Sequence, residues 1–507
     1  MTTATAPGQG SLICTGVPGL DTVLGGGLPR NRMFLVQGAA GAGKTTLGLS
    51  FLLEGLRNGE PGLYVTLSET REELEAVAAS HGWSLAGLTI CESPGVDRGQ
   101  EGLGPSMFHS AESELTQTIQ GLLREVERVK PARVVFDSLS ELRLLAGGAL
   151  RYRRHVLGLK QFFAGRSTTV LLVDDGSVVD EDSRLQSLVH GVLELEQVTP
   201  DFGAQRRRLR IVKMRGHDYV GAFHDFTIAP GGLKVFPRLF ATAHEVSFEP
   251  GTESSGLADI DALVGGGLDR GTSLLIVGPA GSGKSSIAAQ YVSAAAKRGQ
   301  RAVVFTFDET ARTLLLRTEG LGMGLAPHVA AGRVILHQID PAGLTPGQFA
   351  SIVRAAALGT GEQEAARIVV IDSLNGYLNA MPEERFLLVQ LHELLTALAK
   401  HGVVTILVVA QQGLVGNVLD GPADASYLTD TVLLTRNFEA EGVVNRAVSV
   451  IKKRTGGHER TIREVSFSAN GLALSPPLRG YRGVMTGTPT PIPAAPDPAP
   501  DPQSESR

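Results

Sequence analysis

The sequence predicts an α/β protein of two tandem domains, each with a mainly parallel sheet flanked by helices. Short, apolar segments such as MFLVQG at 33–38 and SLLIVG at 273–278 alternate with longer segments of helical periodicity. This alternation is typical of parallel strands covered on both faces. The order of the segments repeats at an offset of about 240 residues, and a chain of 507 residues is long enough for two such domains.

The repeat rests on five blocks that occur in the same order in both halves. GLDTVLGGGLPRN at 19–31 aligns with DIDALVGGGLDRG at 259–271, and YVTLSET at 64–70 aligns with VFTFDET at 304–310. The other blocks are two Gly-rich turns, RVVFDSLS at 133–140 with RIVVIDSLN at 367–375, and KMR at 213–215 with KKR at 452–454. Five ordered matches indicate a tandem duplication, and we refer to its halves as the first and second copies.

Changes in composition predict the domain boundaries. Residues 1–10 form an N-terminal arm, 11–247 the first domain and 248–485 the second, with a Gly- and Ser-containing linker near 245–256. Residues 486–507 are rich in proline and poor in apolar side chains, so we expect a disordered tail.

Composition also disfavours several classes of protein. The formal net charge of −5 and the pI near 6.2 provide no general attraction for nucleic acid. No apolar run is long enough to span a membrane, and the N-terminus lacks the pattern of a secretory signal. The only cysteines, Cys14 and Cys91, show no metal-ligand spacing. We therefore expect a cytoplasmic protein that binds neither membrane nor nucleic acid.

The two Gly-rich turns, GAAGAGKTT at 38–46 and GPAGSGKSS at 278–286, fit the phosphate-binding pattern G-x-x-x-x-G-K-[ST]. Glycines let backbone amides converge on phosphate oxygens, and the following helix directs its positive end at them. Lys44 and Lys284 would hold the β and γ phosphates of ATP, while the hydroxyls of Thr45 and Ser285 would ligate Mg²⁺. Two matches, each between a strand and a helix, argue against a chance Gly-rich turn.

Asp137 and Asp372 each end an apolar strand, where an unpaired carboxylate would be costly. Their functional interpretation is the second carboxylate of the Mg²⁺ site, acting through a coordinated water. The alternative is a helix N-cap, because DSLS and DSLN can also open helices.

Three more acids, Glu69, Asp308 and Glu309, follow the strand after each phosphate loop. A carboxylate there can accept a proton from an attacking water or hydroxyl, so we predict that these residues are catalytic. Asp308 is also a candidate Mg²⁺ ligand. The alternative is an acid that only favours the first turn of the next helix.

Strand alternation places Lys213 and Arg215 on one face, and likewise Lys452 and Arg454. These side chains would clamp phosphate in a neighbouring subunit, in the manner of an arginine finger. The alternative is an exposed edge strand protected by charge. The basic run QRRRLR at 205–210 is more typical of a solvated hairpin than of a nucleic-acid site.

Over roughly residues 11–480 these blocks resemble the KaiC-like branch of RecA-type ATPases, the family of the cyanobacterial circadian-clock ATPase and autokinase. Further marks of the resemblance are the Gly-Gly-Gly-Leu lead-in and SYLTDTVLL at 426–434. The resemblance implies two RecA-like domains, a double-ring homohexamer with ATP at subunit interfaces, and slow hydrolysis in the first ring. In clock members it implies autophosphorylation in the second.

Carried over position by position, the family's nucleotide contacts form a larger set than the loops alone. They fall on Gly41, Ala42, Gly43, Lys44, Thr45, Thr46, Ser80, Lys213, Met214, Arg215 and His217 in the first copy, and on Gly281, Ser282, Gly283, Lys284, Ser285, Ser286, Lys452, Lys453 and Arg454 in the second. Gly38 and Gly278, which open the loops, and the strand-end residues Asp137 and Asp372 complete the predicted ATP-binding set.

Two departures from the family pattern bear on activity. Ser68 stands where the family has the first of two glutamates, so hydrolysis in the first copy would be slow or would depend on Glu69. Ser426 and Tyr427 occupy the two phospho-acceptor positions, where clock members have Ser and Thr, which leaves Ser426 as the candidate acceptor.

These observations predict a KaiC-like ATPase with serine autokinase activity in its second domain, acting as a nucleotide-dependent timer or signalling hub with clock or signalling partners. A scaffold whose partner binding is switched by nucleotide is compatible with this. The alternative from another class is a RecA/RadA-like DNA-dependent ATPase, which the acidic balance disfavours.

Overall fold

The computed structural model describes residues 11–92, 111–176, 185–199, 205–238, 248–359, 364–379, 387–411, 425–486 and 489–492. The chain divides into two units, Met1–Arg238 and Leu239–Arg507. The division falls nine residues before the predicted boundary at 247, and the exact boundaries stay a prediction. The predicted arm at 1–10 and most of the predicted tail lie outside the described residues.

Each unit is built on a nine-stranded sheet with the same strand order. From one edge to the other, the first sheet consists of Thr89–Glu92, Gly62–Thr66, Arg133–Asp137, Thr169–Asp174, Met33–Gly38, Gly191–Val198, Arg206–Met214, His224–Ala229 and Gly232–Phe236. The second consists of Val334–Gln338, Ala302–Thr306, Ile368–Asp372, Val404–Ala410, Ser273–Gly278, Thr431–Ala440, Val443–Lys453, Arg463–Ser468 and Gly471–Pro477.

In both sheets the first six strands are parallel and the last three are antiparallel. The predicted mainly parallel sheets are therefore confirmed. The shared topology also supports the duplication inferred from the sequence blocks.

The helices flank the sheets. Those of the first unit are Leu20–Val23, Lys44–Arg57, Arg71–Ser80, Ala111–Val129, Leu139–Ala146 and Ala149–Phe163. Those of the second are Ala258–Leu263, Lys284–Lys297, Ala311–Gly320, Ala326–Ala330, Pro346–Leu358, Leu374–Asn379 and Leu387–Ala399, with short 3₁₀ turns at Pro341–Gly343, Ala425–Leu428 and Val484–Thr486. Within the described ranges, none of the helices has the length and apolarity needed to cross a bilayer.

Three two-stranded ribbons complete the described structure: Leu12–Ile13 with Leu28–Pro29, Thr252–Glu253 with Leu268–Asp269, and Tyr481–Arg482 with Thr490–Pro491. The repeated lead-in aspartates hold the first two. Asp21 accepts hydrogen bonds from the amide and hydroxyl of Thr15 at 3.0 and 2.8 Å, and Asp261 accepts from the Ser255 amide at 2.8 Å. This part of the repeated block therefore has a structural role.

The parallel strands bring the candidate residues to one edge of each sheet. The central strand Met33–Gly38 is buried throughout, and it lies between Thr169–Asp174 and Gly191–Val198. Strand register pairs Gln37 with Asp174 and Thr66 with Asp137, so these carboxyl ends meet. Ligands bind at this edge in open α/β sheets.

Candidate functional site

The phosphate loops connect the central strand of each sheet to a 14-residue helix, Lys44–Arg57 or Lys284–Lys297. Gly43 and Gly283 precede these helices with φ of 102° and 92°, a left-handed conformation that favours glycine. A Cβ on Gly283 would also lie 2.2 Å from the Phe467 ring. No side chain caps either helix, so the amides of the first turn remain available to an anion.

Lys44 is buried and has three acceptors. Its ammonium group donates to the carbonyls of Gly38 and Ala39 at 2.8 and 2.9 Å and lies 3.0 Å from Oδ1 of Asp175. An ammonium has three N–H donors, so all three are engaged.

Asp175 belongs to a polar network next to the loop. The Ser140 hydroxyl donates to Asp175 at 2.9 Å and lies 3.2 Å from Oδ1 of Asp174. Arg143 pairs with the fully buried Asp174 at 2.6 Å. Burial alone would raise the pKa of Asp175, but the hydrogen bonds from Lys44 and Ser140 outweigh it and lower the pKa. Asp175 is therefore an anion at neutral pH.

Lys284 has different surroundings. Its ammonium donates to the Pro279 carbonyl at 2.7 Å, and it forms no ion pair with any carboxylate of the described residues. Burial lowers its pKa to about 8, against a smaller opposing effect of Asp372. The charged form of Lys284 thus lacks the counter-ion that Lys44 has.

In both copies a loop hydroxyl hydrogen-bonds to the strand-end carboxylate, and these are the residues predicted to hold Mg²⁺. Thr45 donates to Oδ2 of Asp137 at 2.9 Å, and Ser285 hydrogen-bonds to Asp372. Asp137 also accepts from the buried Tyr64 hydroxyl at 2.5 Å. Burial raises the pKa of both aspartates, and these hydrogen bonds oppose the rise.

The N-cap alternative for these aspartates does not match the first copy, where Ser138 is the N-cap of Leu139–Ala146. The bonds of Asp137 go to Thr45 and Tyr64 instead. Hydroxyl and carboxylate oxygens that converge in this way are the hard ligands that Mg²⁺ prefers, so the residues fit the ion.

Glu69 is half-buried, and its Oε2 has no hydrogen-bond partner among the described residues. Burial raises the pKa of Glu69, the charges of Asp137 and Glu73 raise it further, and Lys44 opposes them. The next helix is capped by Thr70 and Glu73, which form a capping box without Glu69. Glu69 therefore remains available to accept a proton.

The acids of the second copy are engaged. Asp308 accepts from the Ser373 hydroxyl at 2.7 Å. Both oxygens of Glu309 accept from Arg317, at 3.1 and 2.7 Å, and Arg317 also reaches the Ser286 hydroxyl at 3.1 Å. The residue of the first copy that is equivalent to Arg317 is Val77, so this helix offers Glu69 no arginine at that position.

In the second copy these residues line a cleft of about 870 Å³, which is large enough for a nucleotide. Its wall includes Gly281, Gly283, Lys284, Ser285, Ser286, Asp308, Glu309, Arg317 and Asp372.

The remaining loop residues support the turn. Ala42, Thr46 and Ser282 are buried, and Ser282 donates to the Pro279 carbonyl at 2.8 Å. Gly41 and Gly281 have left-handed φ values of 77° and 74°.

The basic triplets follow the predicted alternation. Lys452 donates to the carbonyls of Ser426 and Thr429 at 2.8 and 2.7 Å, and Arg454 donates to Tyr427 at 2.7 Å. Lys453 points the other way, to the Val264 carbonyl at 2.8 Å.

In the first copy, Lys213 and Arg215 donate to the neighbouring carbonyls of Gln186 and Ser187. Met214 is buried, and His217 lies 2.7 Å from the Leu24 carbonyl. These contacts are all within one subunit, so they leave the predicted role in a neighbouring subunit as a prediction.

The triplet-bearing strands are internal, yet their ends are paired on one side only. Lys213 pairs with Val192, whereas pairing to the other neighbour ends at Leu209. The charge-protected-edge alternative thus stays open. In QRRRLR, Arg208 and Arg210 form ion pairs with Glu196 and Glu194 across a hairpin, which supports the hairpin interpretation.

Ser80 ends the helix Arg71–Ser80, is exposed, and donates to the Val77 carbonyl at 2.7 Å. Ser426 is half-buried in the turn Ala425–Leu428, and Tyr427 is exposed. The roles of Ser80 at a nucleotide and of Ser426 as phospho-acceptor both stay predictions.

Sequence reasoning missed Tyr64, Asp175 and Arg317. The signal for Asp175 was available, because TTVLLVDD at 168–175 is another apolar run that ends in carboxylates. To predict the roles of Tyr64 and Arg317, one would have needed the register of the strands and helices, which brings Tyr64 to Asp137 and Arg317 to Glu309.

Comparison with known proteins supports the family resemblance. The family model described as ATPase: KaiC matches residues 13–239 and again 254–478. Circadian clock oscillator protein KaiC of Thermostichus vulcanus is 28% identical over 498 residues, covering 94% of this chain and 92% of its own.

The protein of the same name from Synechococcus elongatus is 28% identical over 502 residues, covering 94% of this chain and 91% of its own. Circadian clock protein KaiC3 of Synechocystis sp. is 25% identical over 486 residues, covering 94% of each chain. The DNA-dependent ATPase alternative finds no support in these matches. Because the family model covers most of both copies, the chain belongs to the KaiC ATPase family.

Proposed function

We propose that both copies bind Mg²⁺–ATP and that the chain hydrolyses it. The observation that carries this is the repeated set of a loop lysine, an open helix N-terminus and a hydroxyl–carboxylate pair at the same sheet edge. Backbone amides and one ammonium per copy would hold the phosphates.

Thr45 with Asp137, and Ser285 with Asp372, would hold Mg²⁺ in the two copies, with Asp308 as a further candidate ligand in the second. When bound, Mg²⁺ neutralises charge that develops on the phosphate oxygens. The protein's part is to position these oxygens and to keep the helix terminus directed at the phosphates.

Glu69 would act as the base of the first copy. A water molecule would add to the γ-phosphorus while the bond between that phosphorus and the β–γ bridging oxygen breaks. The proton of the water would pass to the Glu69 carboxylate, and ADP and phosphate would leave. Ser68 cannot substitute as a base of comparable strength. In the second copy Asp308 and Glu309 would share this role after Glu309 separates from Arg317.

The test is ATP uptake by equilibrium dialysis together with phosphate release, in Mg²⁺ and in EDTA. We expect Lys44→Ala and Lys284→Ala each to remove about one site, and the double variant to remove both. Lys297→Ala, at the exposed far end of the second loop helix, is the matched control. Full uptake by the double variant would refute the proposal.

We further propose a homohexamer in which Lys213, Arg215, Lys452 and Arg454 reach the nucleotide of the adjoining subunit. This rests on the family resemblance and on their position at a strand end paired on one side. Light scattering after size exclusion, with and without Mg²⁺–ATP, tests it, and a monomer in every condition would contradict it.

Ser426 is the proposed site of autophosphorylation. The Lys452 ammonium lies 2.8 Å from its carbonyl, close enough to offset phosphate charge. The γ-phosphoryl group would pass from ATP to Ser426 Oγ, the serine proton to an acidic residue, and ADP would leave. Intact mass after incubation with Mg²⁺–ATP should rise by one phosphate and not do so in Ser426→Ala; no gain in the unsubstituted chain would sink the idea.

The relatives are named as circadian clock proteins, so we propose that turnover serves as a timer or signalling hub, read by a clock or signalling partner. Pull-down with the protein held in ATP and in ADP tests this. Identical partners in both states would contradict it.

A further inference from the structure

We propose that Asp175 competes with the nucleotide for Lys44 and thereby sets the ATP affinity of the first copy. The inference rests on the proposed nucleotide binding and concerns its control.

The geometry of Lys44 carries the first step. Its three donors are engaged by the carbonyls of Gly38 and Ala39 and by the Asp175 carboxylate. A phosphate oxygen can therefore bind this ammonium only if one acceptor leaves. The two carbonyls are part of the loop, whereas the Asp175 side chain is 45% exposed and can rotate away, so Asp175 is the acceptor that yields.

The network around Asp175 shows what remains after it yields. Asp174, beside it, keeps its ion pair with Arg143, and Ser140 can still donate to either carboxylate. Asp175 then stays as an unpaired anion near the phosphates. This negative charge repels a triphosphate more than a diphosphate, because the loop lysine faces the β and γ phosphates.

The second copy provides an internal control at the same backbone position. When the two sheets are aligned, Val409 and Ala410 occupy the positions of Asp174 and Asp175 in the first copy. The Ser140 position is Asn375, whose side chain bonds both the amide and the carbonyl of Ala410, at 2.7 and 2.9 Å. The strand end is thus held without a carboxylate, and Lys284 has no competitor there.

The experiment measures Kd for ATP and ADP by equilibrium dialysis in full-length protein carrying Lys284→Ala, so that only the first copy binds. We expect Asp175→Asn to raise ATP affinity about tenfold and ADP affinity less than threefold, as for removal of one charge–charge contact. Asp175→Glu, which keeps the charge, should resemble the unsubstituted residue. A purely structural role would not change the ratio of ATP to ADP affinity.

The reverse substitution tests the same idea in the second copy, where alanine occupies the position of Asp175. Ala410→Asp in the Lys44→Ala background should weaken ATP binding by the second copy about tenfold. This arm remains decisive if Asp175→Asn fails to fold, as judged by Tm.

Unchanged or weaker ATP binding in Asp175→Asn, or unchanged binding in Ala410→Asp, overturns the inference. If the Lys284→Ala protein binds no ATP that Lys44→Ala removes, nucleotide binding by the first copy itself fails. The two failures are therefore distinguishable.

Discussion

The lysine of the first phosphate loop is ion-paired while its candidate base is not, and in the second copy the pairing is reversed. Lys44 lies 3.0 Å from Asp175, and Oε2 of Glu69 is buried without a hydrogen-bond partner among the described residues. Lys284 has a pKa lowered to about 8, and Glu309 accepts hydrogen bonds from two of the three guanidinium nitrogens of Arg317. Duplication preserved the backbone that places these groups, whereas substitutions around them changed which charge is compensated.

The difference indicates a division of labour. Within the proposed function, a base with a raised pKa and no ion pair among the described residues is suited to proton abstraction, so we expect the first copy to be the better arranged for hydrolysis. In the same scheme the second copy must first release Glu309, whereas no carboxylate of the described residues forms an ion pair with Lys284 and competes with an incoming phosphate. Each prediction below tests one half of this contrast.

The largest effect is expected from Glu69→Gln. Glutamine keeps the shape but cannot accept the water proton, so phosphate release by the first copy should fall about 100-fold or more. The measurement uses the Lys284→Ala background, with ATP dialysis to show that binding persists.

Glu309→Gln in the Lys44→Ala background is the matched control, and we expect a fall of less than about tenfold because Asp308 remains. Equal losses in the two copies would break the contrast.

A pH series tests the uncompensated lysine. Below pH 8 Lys284 is protonated in the free protein, and above it the proton is lost, whereas bound phosphate favours the charged form. ATP affinity of the second copy should therefore fall as pH rises, by roughly tenfold between about pH 7.5 and 9.

Binding is measured in the Lys44→Ala background. Ala410→Asp supplies a counter-charge and should move the fall to higher pH. A flat profile for the unsubstituted second copy would show that the ammonium stays charged.

The sequence predicted the fold and the shared part of the sites because those features repeat locally. The loop pattern and the acids after the next strand lie at the same spacing in both halves, the strand-end aspartates follow in the same order after a small difference in length, and the sheets bring these residues to one edge. The charge pairing could not be predicted in this way. Asp175 is 131 residues from Lys44, and its effect depends on which strand lies beside the central one. Arg317 reaches Glu309 because the helix Ala311–Gly320 turns its side chain toward that residue. The equivalent residue of the first copy is Val77, which carries no charge.

The smallest effect is expected from removing the arginine at position 317 and introducing one at the equivalent position 77. Arg317→Met frees Glu309 and should raise phosphate release by the second copy about fivefold, the equivalent of a partly exposed ion pair worth about 1 kcal/mol. Val77→Arg reproduces the pair in the first copy, at a half-buried position on the corresponding helix, and should lower its rate by about the same factor. Each rate is measured with the other loop lysine replaced by alanine, and at saturating ATP, because Arg317 also contacts Ser286 in the loop helix. Opposite changes in the two copies would establish that the arginine restrains the base. A fall in both would mean instead that Arg317 assists turnover, and the contrast between the copies would then rest on the lysines alone.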